Sequence, residues 1–166
     1  SITHNDMYPM YVEAYFVTRF PEKNATFENA GRGGGSSGGA FKRYDYDIAN
    51  RNATDAIVMF GMNDVRRESW PLAPEEEGYE TGLDARMIFV ENSVKNTEKL
   101  VNRLRSEGMK VTIMTPSIYD TRADFTTKIN FKGVNSALTA IAEKEKVLAP
   151  QLGVDLINLH DHMNEI

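Results

Sequence analysis

The tightest constraint on the fold is a pair of short runs, AIVMF (56–60) and KVTIMT (110–115), that stay apolar through consecutive positions instead of alternating. A strand with one wet face alternates, whereas a strand covered by helices on both sides reads as an unbroken apolar run. Two further runs, ATFENA (25–30) and VDLINL (154–159), also read as strands. Helical periods lie between them: Met7, Tyr11, Ala14, Tyr15 and Thr18 share one face, as do Val90, Val94, Thr97, Val101 and Leu104, with Gly108 as a stop. Val134, Leu138, Ile141 and Leu148 mark a third helix ended at Pro150, and Phe41, Tyr44 and Ile48 a shorter one behind a glycine run. The order α-β-α-β-α-β-α-β predicts crossover units and an open, doubly wound parallel sheet.

Bulk properties fit that expectation. A chain of 166 residues, 41% apolar and 26% charged, suits a single domain able to bury a core. The formal net charge of -5 leaves no electrostatic footprint for nucleic acid. With no cysteine there is no disulfide, thiolate metal site or cysteine nucleophile. No segment approaches the roughly 18 consecutive apolar residues that span a bilayer, so no membrane span is expected. The sequence leaves both compartment and oligomeric state open.

Ligands of doubly wound sheets bind beyond the carboxyl ends of the strands, which directs attention to the loops after residues 29, 60, 115 and 159. The first is GRGGGSSGGAF (31–41); the second begins GMND (61–64) and continues through RRESWPLAPEEEGYETGLDAR (66–86); the third is PSIYDTRADFTTKINFKG (116–133). Gly33 to Gly38 fits G-x-G-x-x-G with Asp55 downstream, which makes a nucleotide-binding α/β domain one alternative. Against it, Asp55 precedes its strand, while a ribose contact belongs at the carboxyl end. Asn29 leads into Gly31 and Gly34, and Asn63 follows Gly61. Two strand ends thus offer amide donors and bare backbone, a combination suited to an oxyanion hole. The competing reading of Asn63 and Asp64 is local capping of a tight turn.

Taken together, Ser1-Ile2-Thr3, N-A-G-R-G-G-G-S (29–36) and G-M-N-D (61–64) resemble the first three blocks of the GDSL, or SGNH, hydrolase family, and the resemblance covers essentially the whole chain. It implies a serine esterase or acyl hydrolase working through an acyl-enzyme, in a single flavodoxin-like, three-layer α/β domain over residues 1–166, with no cofactor and no metal. By this resemblance Ser1 is the nucleophile, Gly34 a backbone oxyanion donor and Asn63 the side-chain donor. Asn29, Gly61 and Asp64 support them, Gly61 by letting Asn63 approach. The family's first block usually reads G-D-S-I-T, so the chain begins on the serine itself, without the preceding Gly-Asp and first strand. The late D-x-x-H block that supplies the base is absent too, because no aspartate stands three residues before His160 or His162. The chain therefore reads as a segment incomplete at both ends. His160-Asp161-His162 offers a metal pair and His4 a substitute base as lesser readings.

Trp70, Tyr79, Tyr119 and Phe125 read as flat apolar surface bordering the site, and Arg66, Arg67 and Arg122 as polar clamps, against the competing reading of ordinary loop packing. The expected partner is a small-molecule ester, an acylated sugar among the candidates. The alternative is a non-catalytic esterase-like or nucleotide-binding α/β domain that uses the glycine-rich loop.

Overall fold

Three of the four apolar runs form strands: β1 (Asp55–Val58), β2 (Lys110–Met114) and β3 (Asp155–Ile157), paired in parallel in the order β1-β2-β3. The computed structural model describes residues 2–123 and 129–165, so Ser1 and Phe125 lie outside the described residues. The chain divides into two compact units, Ser1–Gly35 with Arg43–Arg51, and Ser36–Lys42 with Asn52–Ile166.

The larger unit holds the sheet. In its register Ala56 pairs with Val111, Val58 with Ile113 and Ile113 with Leu156. Val58, Val111 and Ile113 on that face are buried, whereas Ile57 and Ile157 on the other are exposed. Parallel strands need a crossover between them. Two long helices supply it, α4 (Leu83–Ser106) between β1 and β2, and α5 (Val134–Leu152) between β2 and β3, and they pack on the sheet and on each other. Gly108 closes α4 as expected, its N–H donating to the Arg105 carbonyl at 2.9 Å. Pro150 does not end α5. An exposed proline in the last turn removes only one N–H donor, and the helix runs on to Leu152, where the Gly153 N–H bonds the Pro150 carbonyl at 3.1 Å. The run 154–159 is likewise shorter as a strand than its composition suggests. Asn158 caps the next helix, α6 (Leu159–Asn164), accepting from the Asp161 N–H at 3.4 Å.

The long loops of this unit are part of its core. Val65, Trp70, Tyr79, Val90, Val134, Ala137, Leu138 and Ile141 form one buried cluster, with Met62, Leu72, Tyr119 and Phe131 packed against it. The Trp70 indole N–H donates to the Val65 carbonyl at 2.8 Å, and the Gly133 N–H to the Trp70 carbonyl at 3.1 Å. Glu76 accepts from the Ala73 N–H and from Lys132. Trp70 and Tyr79 are therefore not a substrate-facing surface. They are 1% and 7% exposed, with the Arg86 guanidinium over both rings at 5.1 and 5.3 Å. A large aromatic in a loop is worth more buried than wet, and its indole N–H finds a backbone partner. Of the expected clamps, Arg66 lies 4.9 Å from the Phe89 ring centre and Arg122 pairs with Asp120.

In the smaller unit, α1 (Met7–Arg19) forms where the period placed it, yet it has no buried residue, and Met7, Tyr11 and Tyr15 are exposed. The run ATFENA is not a strand: residues 24–30 have no ladder partner among the described residues. Its side chains are engaged otherwise, Phe27 against Phe16 with ring centres 5.5 Å apart and Glu28 with Arg51 at 2.6 Å. An apolar run of six residues becomes a strand only where a neighbouring edge can satisfy its backbone. The predicted short helix after the glycine run is two pieces, α2 (Ser37–Lys42) in the larger unit and α3 (Tyr44–Asp47) in the smaller.

Candidate active site

In the larger unit the residues after β1 form a tight knot. The Asp64 and Val65 N–H groups both donate to the Gly61 carbonyl, at 2.9 and 3.1 Å. The Asp64 carboxylate closes the same turn from the other side, accepting the Gly61 N–H at 3.1 Å. Gly61 has φ +131, and a Cβ there would meet Pro116 Cβ at 2.9 Å and Leu138 Cδ2 at 3.2 Å. Only glycine allows the end of β1 to pass so close to the segment after β2. Met62 packs against the core cluster, so half-buried Asn63 stands between two anchored neighbours.

Asp64 also reaches the end of the glycine run. Its second oxygen accepts the Ser37 N–H at 2.9 Å and the Ser37 hydroxyl at 2.5 Å. Ser37 is fully buried and opens α2, whose first N–H groups have no partner within the helix. Ser36 caps the same turn, accepting the Gly39 N–H at 3.2 Å. Neither serine was singled out from the sequence. The signal for Ser36 was the small polar pair directly before a helical period; for Ser37 it was invisible, since its partner lies 27 positions away.

In the smaller unit the glycine run begins on a bracket made by Asn29. The Asn29 amide N–H groups donate to the Thr3 carbonyl at 2.6 Å and to Asp6 at 2.9 Å, and its oxygen accepts the Gly31 N–H at 2.7 Å. Asn29 is thus a tie between residues 3–6 and the glycine run, not an amide donor at a strand end. A Cβ at Gly31 would stand 2.8 Å from the His4 nitrogen, so residues 3 and 4 occupy the space a side chain would need. Gly34 sits at the third position of a turn closed by the Gly35 N–H on the Arg32 carbonyl at 2.9 Å. Its φ of +70 is what a type II turn requires there, and it is exposed with nothing within 4 Å of a Cβ. The backbone at Gly34 is therefore open to a ligand.

The histidines divide by role. His160 is buried; its Nδ1 contacts the Pro116 carbonyl at 3.2 Å and its Nε2 the Thr139 hydroxyl at 2.9 Å. Burial pushes its pKa down, against the pull of that carbonyl, which suits a neutral imidazole donating from Nδ1 and accepting at Nε2. Asp161 pairs with Lys146 at 2.5 Å and Asn158 at 2.7 Å, and His162 is exposed. The three side chains do not converge. His4 is exposed, with Nδ1 3.4 Å from the Gly31 carbonyl. The nucleotide reading loses its context, since among the described residues no strand precedes the glycine run and Asp55 opens β1 at its amino end.

A parallel sheet flanked by helices, with a glycine-bearing turn knotted at the end of its first described strand, defines an α/β domain whose chemistry belongs at the strand carboxyl ends. The chain belongs to the GDSL-like lipase/acylhydrolase family, whose model it matches over residues 1–166. No curated protein matches it. Among solved structures it is similar to a gut microbial diltiazem-metabolizing enzyme, with TM-score 0.82 and 25% identity over 98% of this chain and 35% of that one. It is similar in fold to the acetyl xylan esterase AlAXEase, with TM-score 0.68 and 20% identity over 98% of this chain and 75% of that one. An acetylxylan esterase from Geobacillus stearothermophilus follows at TM-score 0.64 and 16% identity, over 93% and 64%. The chain spans about a third of the first of these proteins and about two thirds to three quarters of the others. No helix among the described residues is long and apolar enough to cross a membrane.

Proposed function

We propose that the protein hydrolyses a small carboxylic ester, with an acetylated sugar as the leading substrate class, through an acyl-enzyme on Ser1. The observation that carries this reading is family membership over the whole chain, with the serine, glycine and asparagine blocks in the family's order. In this reading Ser1 Oγ attacks the ester carbonyl while its hydroxyl proton passes to a histidine base, the Gly34 N–H and the Asn63 side-chain amide receive the oxyanion, and that histidine gives the proton to the departing alcohol as the ester C–O bond breaks. Water then attacks the acyl-enzyme and returns Ser1. The histidine belongs to a D-x-x-H block, and neither His160 nor His162 stands in one. In this reading residues 1–166 belong to one hydrolase domain whose acid–base histidine they do not supply, and Asn29, Gly61 and Asp64 hold the donors in place. The sugar ester is favoured because the esterases of similar fold act on acetyl xylan and because acetate demands only a small acyl pocket.

The test is covalent labelling with a fluorophosphonate, followed by hydrolysis of p-nitrophenyl acetate and of acetylated xylooligosaccharides by the full chain. Labelling is expected at Ser1, and Ser1→Ala is expected to lower turnover about a millionfold. A label on another residue, or turnover that survives Ser1→Ala, overturns the assignment; activity on the nitrophenyl ester without acetate release from the sugar overturns only the substrate class.

A further inference from the structure

We infer that Asp64 is a positioning residue that sets the place of Asn63 by tying the Gly61 turn to the first turn of α2. The inference rests on the reading of Asn63 as an oxyanion donor. Its own support is geometric and lies wholly within the larger unit. One carboxylate takes three donors: the Gly61 N–H at 3.1 Å, the Ser37 N–H at 2.9 Å and the Ser37 hydroxyl at 2.5 Å. The first bond spans residues 61 to 64 and, with the Asp64 N–H on the Gly61 carbonyl at 2.9 Å, closes a ring that contains Asn63. The other two fasten that ring to fully buried Ser37. Met62 is held in the core on the remaining side.

A carboxylate is the only side chain of this size that can accept from all three donors, because an amide at the same place turns one oxygen into a donor. Capping α2 would need only the bonds to Ser37, and closing the turn only the bond to Gly61. That one group does both couples the asparagine loop to the helix on which the glycine run ends. Donor placement matters most where charge develops, so a displaced Asn63 should lower the rate of the chemical step and leave ground-state binding alone.

The test is a double-mutant cycle in the full chain, with kcat and KM measured on p-nitrophenyl acetate for Asp64→Ala, Asn63→Ala and the double variant. Asn63→Ala is expected to lower kcat about 100- to 1000-fold, and Asp64→Ala on the order of 100-fold at unchanged KM. The double variant is expected to be no slower than Asn63→Ala alone, since the position of a missing side chain has no further effect. Wild-type kcat in Asp64→Ala, or a double variant slowed by the product of the two effects, overturns the positioning role. A wild-type kcat in Asn63→Ala instead overturns the donor role on which it rests. Should Asp64→Ala fail to fold, Asp64→Asn runs the same cycle, because its Nδ2 cannot accept the Gly61 N–H. A readout independent of turnover is the Asn63 side-chain amide pair in a ¹⁵N-resolved spectrum. It should shift or broaden in the Asp64 variant, and an unchanged pair overturns the inference even if the ester is not a substrate.

Discussion

At the scale of single residues, Gly61 and His160 show how position decides what a side chain does. Gly61 combines a φ of +131 with less than 3 Å between a built Cβ and Pro116. Gly61→Ala therefore meets backbone strain and a clash together, and should lower stability by about 3 kcal/mol, read from the urea midpoint. An unchanged midpoint would show that the end of β1 can shift away from Pro116. His160, which in the sequence reads as half of a metal pair, is buried between Pro116 and Thr139. His160→Ala should cost about 2 to 4 kcal/mol, while kcat of the protein that remains folded stays near wild type. Selective loss of kcat at full stability would instead give His160 a catalytic role. Gly61 and Asn63 were legible as candidates because they directly follow an apolar strand, where ligands of such sheets bind. The second partner of Asp64 was not legible, because hydrogen bonds across 27 residues leave no local trace.

At the scale of elements, α5 carries an acid where its stripe asks for an apolar side chain. Leu138, Ile141, Glu145, Leu148 and Ala149 share its buried face. Glu145 is 1% exposed and one of its oxygens has no hydrogen-bond partner among the described residues. Burial pushes this carboxyl up from 4.5 to about 8, and the negative charge of Asp64 adds to the shift. Below about pH 4.5 folded and unfolded chains both hold the proton, so Glu145 makes no pH-dependent contribution there. Between that value and about 8 only the folded chain holds it, and stability falls as pH rises by up to roughly 1.4 kcal/mol per unit. Above about pH 8 the loss is complete. Glu145→Gln should flatten this slope, so that the variant gains on wild type steadily between pH 5 and pH 8 in thermal or urea unfolding. Parallel slopes for the two proteins would show that Glu145 is ionised in the folded state. Helix periods read well from the sequence because α4 and α5 each bury one face, whereas strand 25–30 read wrongly because a strand is defined by its partner.

At the scale of the whole molecule, the larger unit has a continuous core from Val65 to Ile141, while α1 in the smaller unit has no buried residue. Local stability follows burial, so amides of α1 should exchange with deuterium within the fast phase and those of 97–104 and 110–114 should stay protected. Equal protection of the two groups would show that α1 is held by contacts its exposure does not reveal. The alternation of apolar runs and helical periods determined by itself that this chain builds a parallel α/β fold, since one-sided burial of a helix leaves its period in the residues, whereas the exposure of Ile57 and Ile157 on the second face of the described strands did not show in their apolar runs. The ordered blocks likewise determined the family. Only the tertiary structure decided that Trp70 and Tyr79 are core and not surface, that Asn29 is a tie, and that Asp64 joins the Gly61 turn to Ser37. The physical reason is the same in each case: which donor meets which acceptor, and which ring loses its water, depends on distances between segments that are remote along the chain.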